Sequence, residues 1–344
     1  MGDVSLGFVT RWDLDKTYLR TDFDTLGELL RTAIERPDRK RSVPGAAALL
    51  RELGAHGARV HILSGSPRQM RGKLEAKLRI DRVRWDAMTL KPNLSNLLRL
   101  RLSAMKDQLG YKLPALLEAR ATDRASQPER PLVEALVGDD VEADAFVYSL
   151  YADVCAGAVD RAGLERVLTE GRLYTDQRRR ALEAAERLAP EPAVERILIH
   201  LDRQSPPSRF DAYGTRVVPF HNYLQAALVL AEETRLGASG VLRVASELAL
   251  EHRFDAEALA RSYLDLQRRG HVMGSLIPPL TAAAEAEPLA NPAREILLQA
   301  CGRMFELLEP PVAPRAERPP RVDYEELAAR HRGGQSRRLP RDVP

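Results

Sequence analysis

Two carboxylates near the start of the chain, Asp13 and Asp15, are two residues apart, and the hydroxyl of Thr17 follows after two more. They come directly after the apolar run of residues 6–9, which indicates a strand whose alternate side chains point the same way. Carboxylates held this close repel each other unless a cation or a shared proton relieves them. Because Mg²⁺ prefers hard oxygen ligands, the spacing favours a magnesium site. The alternative is that these residues only close a strand and cap a helix.

A second acidic cluster lies further along, where four carboxylates occur within residues 139–144. It begins with Asp139 and Asp140, directly after a strand predicted over 132–137 and before a predicted helix. In parallel α/β sheets ligands bind at the carboxyl ends of the strands, so the two acidic clusters are expected to converge. Acids in the first turn of a helix also gain from its dipole, which is an alternative reason for Glu142 and Asp144.

A strand predicted over 59–63 ends in the small residues Ser64, Gly65 and Ser66. A strand, a small-residue turn and a helix together place backbone N–H groups and a hydroxyl where a phosphate group can bind. The alternative is an ordinary turn in which a serine caps the next helix.

A lysine could supply a positive charge to the same edge. Lys112 is predicted to open a helix immediately before the strand of the second acidic cluster, with Pro114 in the first turn. Lys91 and Lys106 are the alternatives. Phosphoryl transfer needs negative charge to be neutralised from several sides, and this combination of acids, hydroxyls and one ammonium suits that chemistry.

The rest of the pattern predicts how these residues are positioned. Strands separated by helices predict an α/β fold with a parallel, Rossmann-like sheet that is covered by helices on both faces. Further strands are predicted within 83–90, 194–201 and 217–220, and helices over 25–35, 46–53, 68–80, 93–109 and 222–233.

Three regions are predicted along the chain. Residues 1–236 would form the α/β domain that carries the candidate residues, and residues 237–309 a helical region that either binds a partner or extends the cover of the sheet. Residues 310–344 are rich in Pro, Arg and Gly, which predicts a disordered tail with at most one helical turn near Tyr324.

Composition narrows the class of protein. The formal net charge of the 344 residues is +3, and the segment from Pro310 onward, with eight Arg against five Asp or Glu, carries all of it. The remainder is formally neutral, which argues against a general nucleic-acid-binding surface. The two cysteines, Cys155 and Cys301, have no metal-ligand spacing and indicate buried thiols in a reducing compartment. Without a signal sequence or an apolar run long enough for a transmembrane segment, a soluble cytoplasmic protein is expected.

Taken in order, these elements resemble the four motifs of the haloacid dehalogenase-like (HAD-like) phosphatase superfamily. The matching residues are Asp13-Leu-Asp15-Lys-Thr17, Leu63-Ser64, Lys112, and Gly138-Asp139-Asp140 with Asp144. More narrowly, residues 61–67 and 138–148 resemble the phosphatidate phosphatase catalytic domain of yeast actin-patch-associated proteins and their bacterial relatives, and more distantly lipins. The resemblance covers roughly Val4 to Asp153, and no family match is assigned after Asp202.

The resemblance implies a role for each matching residue. Asp13 would attack phosphorus and form an aspartyl-phosphate, and Asp15 would protonate the leaving oxygen and later activate water. Ser64 would hydrogen-bond the transferring phosphoryl group, with Gly65, Ser66 and Thr17 around it, and Lys112 would offset its charge. Mg²⁺ would be held by Asp13, the backbone carbonyl of Asp15 and Asp139, with Asp140 or Asp144 as direct or indirect support.

The substrate is less closely defined by the motifs. Lys16 stands where the lipid-phosphatase relatives often carry an acid, and Asp140 where they often carry serine, so the lipid substrate is one alternative and a soluble phosphomonoester another. The absence of a segment long enough for a large cap favours a bulky substrate, such as a phosphorylated lipid at a membrane surface, a protein or a nucleic-acid end. A HAD-fold protein that binds without turnover is the remaining alternative.

Overall fold

The computed structural model describes residues 7–20, 41–91, 105–288, 291–309 and 322–336. Its centre is a six-stranded, all-parallel sheet with strand order β3-β2-β1-β4-β5-β6. The strands are β1 (Gly7–Asp13), β2 (Arg59–Pro67), β3 (Ala87–Lys91), β4 (Leu132–Asp139), β5 (Val194–His200) and β6 (Val217–Phe220). The predicted α/β class, with a parallel Rossmann-like sheet and a helical region, is confirmed.

Helices cover both faces of the sheet. They are α1 (Ala46–Ala55), α2 (Arg71–Ile80), α3 (Met105–Ser126), α4 (Asp144–Cys155), α5 (Arg161–Glu170), α6 (Thr175–Glu186), α7 (Tyr223–Glu232), α8 (Ala238–His252), α9 (Ala256–Arg268), α10 (Ile277–Ala286), α11 (Asn291–Glu306) and α12 (Tyr324–Ser336). One hydrophobic cluster lies on the first face of the sheet and contains residues of the helices α1, α2, α7, α8, α9, α10 and α11. A second cluster lies on the other face of the sheet and contains residues of the helices α3, α4, α5, α6 and α12.

The central strand β1 directs its side chains to both faces in turn. Trp12 points into the first cluster, where it stacks on Tyr223 of α7 with ring centroids 5.6 Å apart. Arg11 and Asp13, one residue to either side, face α3 instead, as the two-residue period of a strand requires. The strand order reverses between β1 and β4, and such a switch point leaves a crevice at the carboxyl ends of the strands.

A buried ionic network lies below that crevice, between the strands β1 and β4 and the helices α3 and α4. Arg11 donates two hydrogen bonds of 2.9 Å to Glu134 of β4 and one of 2.8 Å to Asp123 of α3. Glu134 also accepts from Arg120 at 2.8 Å and from Tyr151 at 2.7 Å. Burial would raise the pKa of Glu134, but the two guanidinium groups outweigh it and lower the pKa to about 2.

The start of α3 differs from the sequence prediction. A helix was expected to open near Tyr111 with Pro114 in its first turn, but α3 begins at Met105 and contains Pro114 in its interior. A proline inside a helix removes one of the helix's own hydrogen bonds. Here α3 packs closely along α6, and this contact stabilises the helix from outside. Lys112 therefore lies inside the helix. The predicted helix over 25–35 and most of that over 93–109 lie outside the described residues.

The predicted disordered tail contains a helix. Tyr324, at the start of α12, is buried, contacts Phe146 edge to face, and donates a 2.6 Å hydrogen bond to Asp153 of α4. Ala328 lies one turn later and is buried too, so α12 presents one apolar face to the second cluster. This apolar face could not be predicted from composition, because the residues next to Tyr324 and Ala328 in the sequence include several charged ones. The rest of the predicted tail, residues 310–321 and 337–344, lies outside the described part.

The helical region after residue 236 packs directly on the sheet domain. The predicted boundary falls between α7 and α8, and both sides contribute to the same hydrophobic cluster. Gln225 of α7 donates hydrogen bonds to Asp265 and to the carbonyl of Ser262 in α9, at 2.8 and 3.0 Å. These contacts anchor α7, which in turn holds the loop after β1. Among the described helices, none combines the length and apolar character that crossing a membrane requires.

Candidate active site

Asp13, the last residue of β1, is buried beside the ammonium group of Lys112. Lys112 Nζ lies 3.0 Å from Asp13 Oδ1, without the orientation of a hydrogen bond, and donates to Glu142 at 2.8 Å and Asp144 at 2.5 Å. Burial alone would lower the pKa of Lys112, but Asp13, Asp144 and Glu142 outweigh it and raise that pKa. One fixed positive charge therefore faces three carboxylates.

Asp139, the last residue of β4, lies close to Asp13 at the end of the neighbouring strand. Its Oδ1 accepts the backbone N–H groups of Val141 and Glu142 at 2.7 and 2.9 Å, which fixes the carboxylate. Its Oδ2 lies 3.3 Å from the hydroxyl of Thr17, which is 3.4 Å from Asp13 Oδ2. Oxygens of two carboxylates from neighbouring strands thus flank one hydroxyl.

Asp144, at the start of α4, packs against the strand end. Its Oδ2 accepts the backbone N–H of Asp139 at 3.2 Å. A Cβ atom at Gly138 would lie 2.4 Å from the same Oδ2, so any other residue there would displace the carboxylate. Glycine in the second acidic motif is therefore a requirement of close packing.

Four carboxylates at this edge could hold a metal ion. Asp13, Asp139, Glu142 and Asp144 each offer an oxygen, and these oxygens all lie within 4.8 Å of one another. Burial and the neighbouring carboxylates raise the pKa values of Asp13 and Asp139, against the opposing effect of Lys112. Burial also raises the pKa of Asp144 to about 6. Repulsion of this kind is relieved by a second cation, and all-oxygen donors fit a hard divalent ion.

A metal titration tests this donor set. Without metal, Asp139→Asn is expected to raise the melting temperature because it removes one of four like charges while its amide oxygen can still accept both backbone N–H groups. Added Mg²⁺ should stabilise the wild-type protein, and the variant should bind the ion at least about tenfold more weakly by calorimetry.

Asp140→Asn is the matched control for that titration, because Asp140 faces away from the cluster. Its two oxygens accept the backbone N–H groups of Arg203 and Ser205, at 2.8 and 3.1 Å, in the loop after β5. We expect this variant to keep the wild-type affinity for Mg²⁺. Equal weakening by both variants would contradict the assignment of the site to Asp139.

Asp15, two residues after Asp13, makes a separate set of contacts with β2. Its Oδ2 accepts hydrogen bonds from the hydroxyls of Ser64 and Ser66, each at 3.1 Å, at the end of β2. Ser66 donates its backbone N–H to Ser64 Oγ at 3.0 Å. The turn expected after residue 63 is therefore the irregular last part of β2, which runs to Pro67. At Gly65 a Cβ atom would meet open space, so glycine is not required there by crowding.

The loop between Asp15 and Thr17 is held by His200 and Tyr223. Lys16 has a left-handed backbone with φ of 60°, and its carbonyl accepts a 3.3 Å hydrogen bond from His200 Nδ1. Tyr223 of α7 donates a 2.5 Å hydrogen bond to the carbonyl of Thr17 and stacks on His200. Local pattern in the sequence does not link these two rings to the first motif, because they lie 184 and 206 positions downstream of the residues that they contact.

The structure sorts the residues that the sequence singled out into three groups. One group comprises Asp13 and Asp144, which contact Lys112, together with Thr17 and Asp139 beside Asp13. A second comprises Asp15, Ser64 and Ser66, and Asp140 forms the third with the loop after β5.

Sequence reasoning did not include Glu142 among the metal ligands, although it lies within the acidic cluster. The available signal was the position of Glu142 within the second acidic cluster. A favourable interaction with the helix dipole had offered an alternative explanation that needs no metal. Lys106, one alternative cation, lies with its Nζ 3.5 Å from the ring centre of Tyr174 instead.

Comparison with known proteins gives no family. No protein-family model matches the chain, and no curated protein matches it. Among solved structures, the chain is similar to a chain of the "Structure of Pnkp1/Rnl/Hen1 complex", with a TM-score of 0.30 and 18% sequence identity. The match covers 43% of this chain and 45% of the other, so it spans less than half the length of either chain.

Proposed function

We propose that the protein is a Mg²⁺-dependent phosphatase that hydrolyses a phosphomonoester through an aspartyl-phosphate on Asp13. The observation that carries the proposal is the position of this carboxylate, buried at a strand end between the Lys112 ammonium and three further carboxylates that could hold a metal ion. The order of the motifs along the chain, which resembles that of HAD-like phosphatases, supports the same conclusion.

In the first half of the reaction, an oxygen of Asp13 attacks phosphorus while the bond from phosphorus to the substrate's alcohol oxygen breaks. The bonding electron pair leaves with that oxygen, and Asp15 gives it a proton. In the second half, Asp15 takes a proton from water as the water oxygen attacks phosphorus. The acyl-phosphate bond breaks, and inorganic phosphate leaves with Asp13 restored.

The surrounding residues orient the reacting groups and neutralise their negative charge. Lys112 offsets charge on the transferring group, and Ser64 and Ser66 hold the Asp15 carboxylate toward the leaving oxygen. Ser64 has one hydroxyl hydrogen, which points to Asp15 here, so a bond to the phosphoryl group requires that hydroxyl to turn. Asp13, Asp139 and the backbone carbonyl of Asp15 would hold Mg²⁺, which when bound would neutralise negative charge on the phosphoryl oxygens.

A substrate screen tests the proposal. Purified protein should release inorganic phosphate from at least one compound in a panel of phosphorylated sugars, nucleotides and phosphatidate-containing liposomes, and excess chelator should stop the release. Activity confined to the liposomes would select the lipid alternative, and activity on small compounds the soluble one. Substrate binding without turnover under any divalent metal would contradict the proposed activity.

We also infer that the protein works in a reducing compartment such as the cytoplasm. Cys155 and Cys301 are buried free thiols, and burial raises the pKa of Cys155 to about 12. Thiols of this kind behave as small apolar side chains that need no oxidising environment.

A further inference from the structure

Lys91 is a buried lysine at the same edge of the sheet, and the proposed chemistry does not use it. It is the last residue of β3, and it pairs in the sheet with Pro67 of β2, one residue beyond Ser66. Only 7% of its surface is exposed. The side chain therefore lies beside the turn that holds Asp15.

The ammonium group of Lys91 has no anionic partner among the described residues. Its Nζ is buried without a hydrogen bond, and no described carboxylate lies within ion-pair distance of it. The ring of Tyr111 lies 5.3 Å away and is fixed by the tyrosine hydroxyl, which donates to the carbonyl of Thr89 at 3.1 Å. A ring face attracts a cation, but it does not replace the hydration that a buried ammonium loses.

The other buried lysines of the described chain are paired. Lys77 contacts Asp81 at 2.7 Å, and Lys112 contacts three carboxylates. Burial lowers the pKa of Lys91, while the charges of Glu142, Asp107 and Asp15 oppose that effect from beyond contact distance. A nearby position for one more anion would explain why this ammonium is retained.

The order of the strands indicates where that anion would lie. Along the carboxyl edge the sheet presents Lys91 on β3, then the β2 turn with Asp15, then Asp13 on β1, then Asp139 on β4. In a displacement at phosphorus the nucleophile and the leaving oxygen lie on opposite sides. Asp15, which would protonate the leaving oxygen, stands between Asp13 and Lys91, so the leaving alcohol extends toward Lys91.

We propose that Lys91 and the Tyr111 ring form a subsite for a second phosphate group, carried on the alcohol part of the substrate. The substrate class is then a small bisphosphate, of which one phosphate is transferred to Asp13 and the other is held by Lys91. This inference rests on the proposed phosphatase function, because that function defines the leaving side. It assigns Lys91 to specificity and not to the chemical step.

A pair of synthetic substrates tests the subsite. Propane-1,3-diol bisphosphate and propyl phosphate share a carbon chain and differ in the second phosphate. The wild-type protein should prefer the bisphosphate in kcat/KM, and Lys91→Met should reduce the ratio between the two compounds about tenfold, mainly through KM. Lys106→Met removes a nearby ammonium that is placed over Tyr174, and this control should leave the ratio unchanged.

The outcomes separate the subsite from the phosphatase function. An active wild-type enzyme whose substrate ratio survives Lys91→Met, or falls equally in Lys106→Met, would overturn the subsite and leave the phosphatase function standing. If neither compound is hydrolysed, the affinity of the protein for each compound, measured by calorimetry, tests the subsite. Tighter binding of the bisphosphate than of propyl phosphate, lost in Lys91→Met, would support the subsite without the function, and equal binding would overturn it. The melting temperature of Lys91→Met should not fall, because the change removes a buried unpaired charge.

Discussion

Asp13→Asn should reduce phosphatase turnover by at least about 10³-fold while the protein stays folded. The amide has the shape of the carboxylate but no anionic oxygen to attack phosphorus. Because Asp13 is buried among three other carboxylates, the loss of its charge relieves repulsion and should not unfold the protein. Phosphate release from the best substrate of the screen, with circular dichroism as the check on folding, measures the effect.

A trapping experiment adds the decisive evidence for the covalent intermediate. Acid quenching of the wild-type enzyme during turnover with radiolabelled substrate should leave label on the protein, and hydroxylamine should remove it as it does from acyl phosphates. The Asp13→Asn protein should carry no label. Asp140→Asn makes the same chemical change on the neighbouring loop and should label normally. Wild-type turnover in the Asp13→Asn protein would exclude Asp13 as the nucleophile.

Arg11→Met should lower the free energy of unfolding by about 3–5 kcal/mol, the range typical of removing one partner from a buried ion pair. The change leaves Glu134 buried beside Arg120 alone, and it removes one of the two guanidinium groups that contact Asp123. Because Arg11 is 2% exposed, water cannot replace the lost hydrogen bonds. Urea denaturation, followed by tryptophan fluorescence and far-ultraviolet circular dichroism, measures the change.

Arg180→Met is the control for that measurement. Arg180 also forms a two-bonded pair with a glutamate, Glu118, at 2.6 and 2.7 Å, but this pair lies at the surface. Surface pairs contribute about 0–1 kcal/mol, so the control should unfold close to the wild type. Replacing Glu134 with leucine in the Arg11→Met background should recover part of the loss, because it removes the unbalanced charge. Similar values for Arg11→Met and Arg180→Met would show that the buried network contributes little.

Three strands of the sheet were predictable from local pattern, although β2 continues beyond Ser64 to Pro67. Asp13, Ser64 and Asp139 each follow an apolar run, and each run forms a strand of the parallel sheet. Since helices connect the strands, all strands run the same way and their carboxyl ends meet at one edge. Local periodicity and this rule were enough to bring the first, second and fourth motifs together.

The partners of neighbouring acids were not predictable in the same way. Asp140 and Glu142 are two residues apart in one acidic run, yet Asp140 accepts backbone groups of the loop after β5 and Glu142 contacts Lys112. The direction of each side chain depends on the backbone of the turn and on which loop packs against it. Charge and spacing in the sequence are the same for either arrangement.

The choice among the candidate lysines also required the tertiary structure. Lys112 was preferred for its position before β4, and its contact with Asp13 arises from the packing of α3 across the strand ends. The residues around Lys91 and Lys106 in the sequence do not show where either side chain lies. Lys91 is buried without an anionic partner among the described residues, and the Nζ of Lys106 lies over the ring of Tyr174.

The sequence by itself determined the α/β class and which acids, hydroxyls and lysines were candidates for one edge of the sheet, because alternation along a strand and the direction of parallel strands are local properties. Only the tertiary structure decided which carboxylates face one another, that Arg11 and Glu134 neutralise each other inside the molecule, and that Tyr223 holds the loop of the first motif. Those contacts join residues far apart in the chain, where packing and not local preference sets the partner.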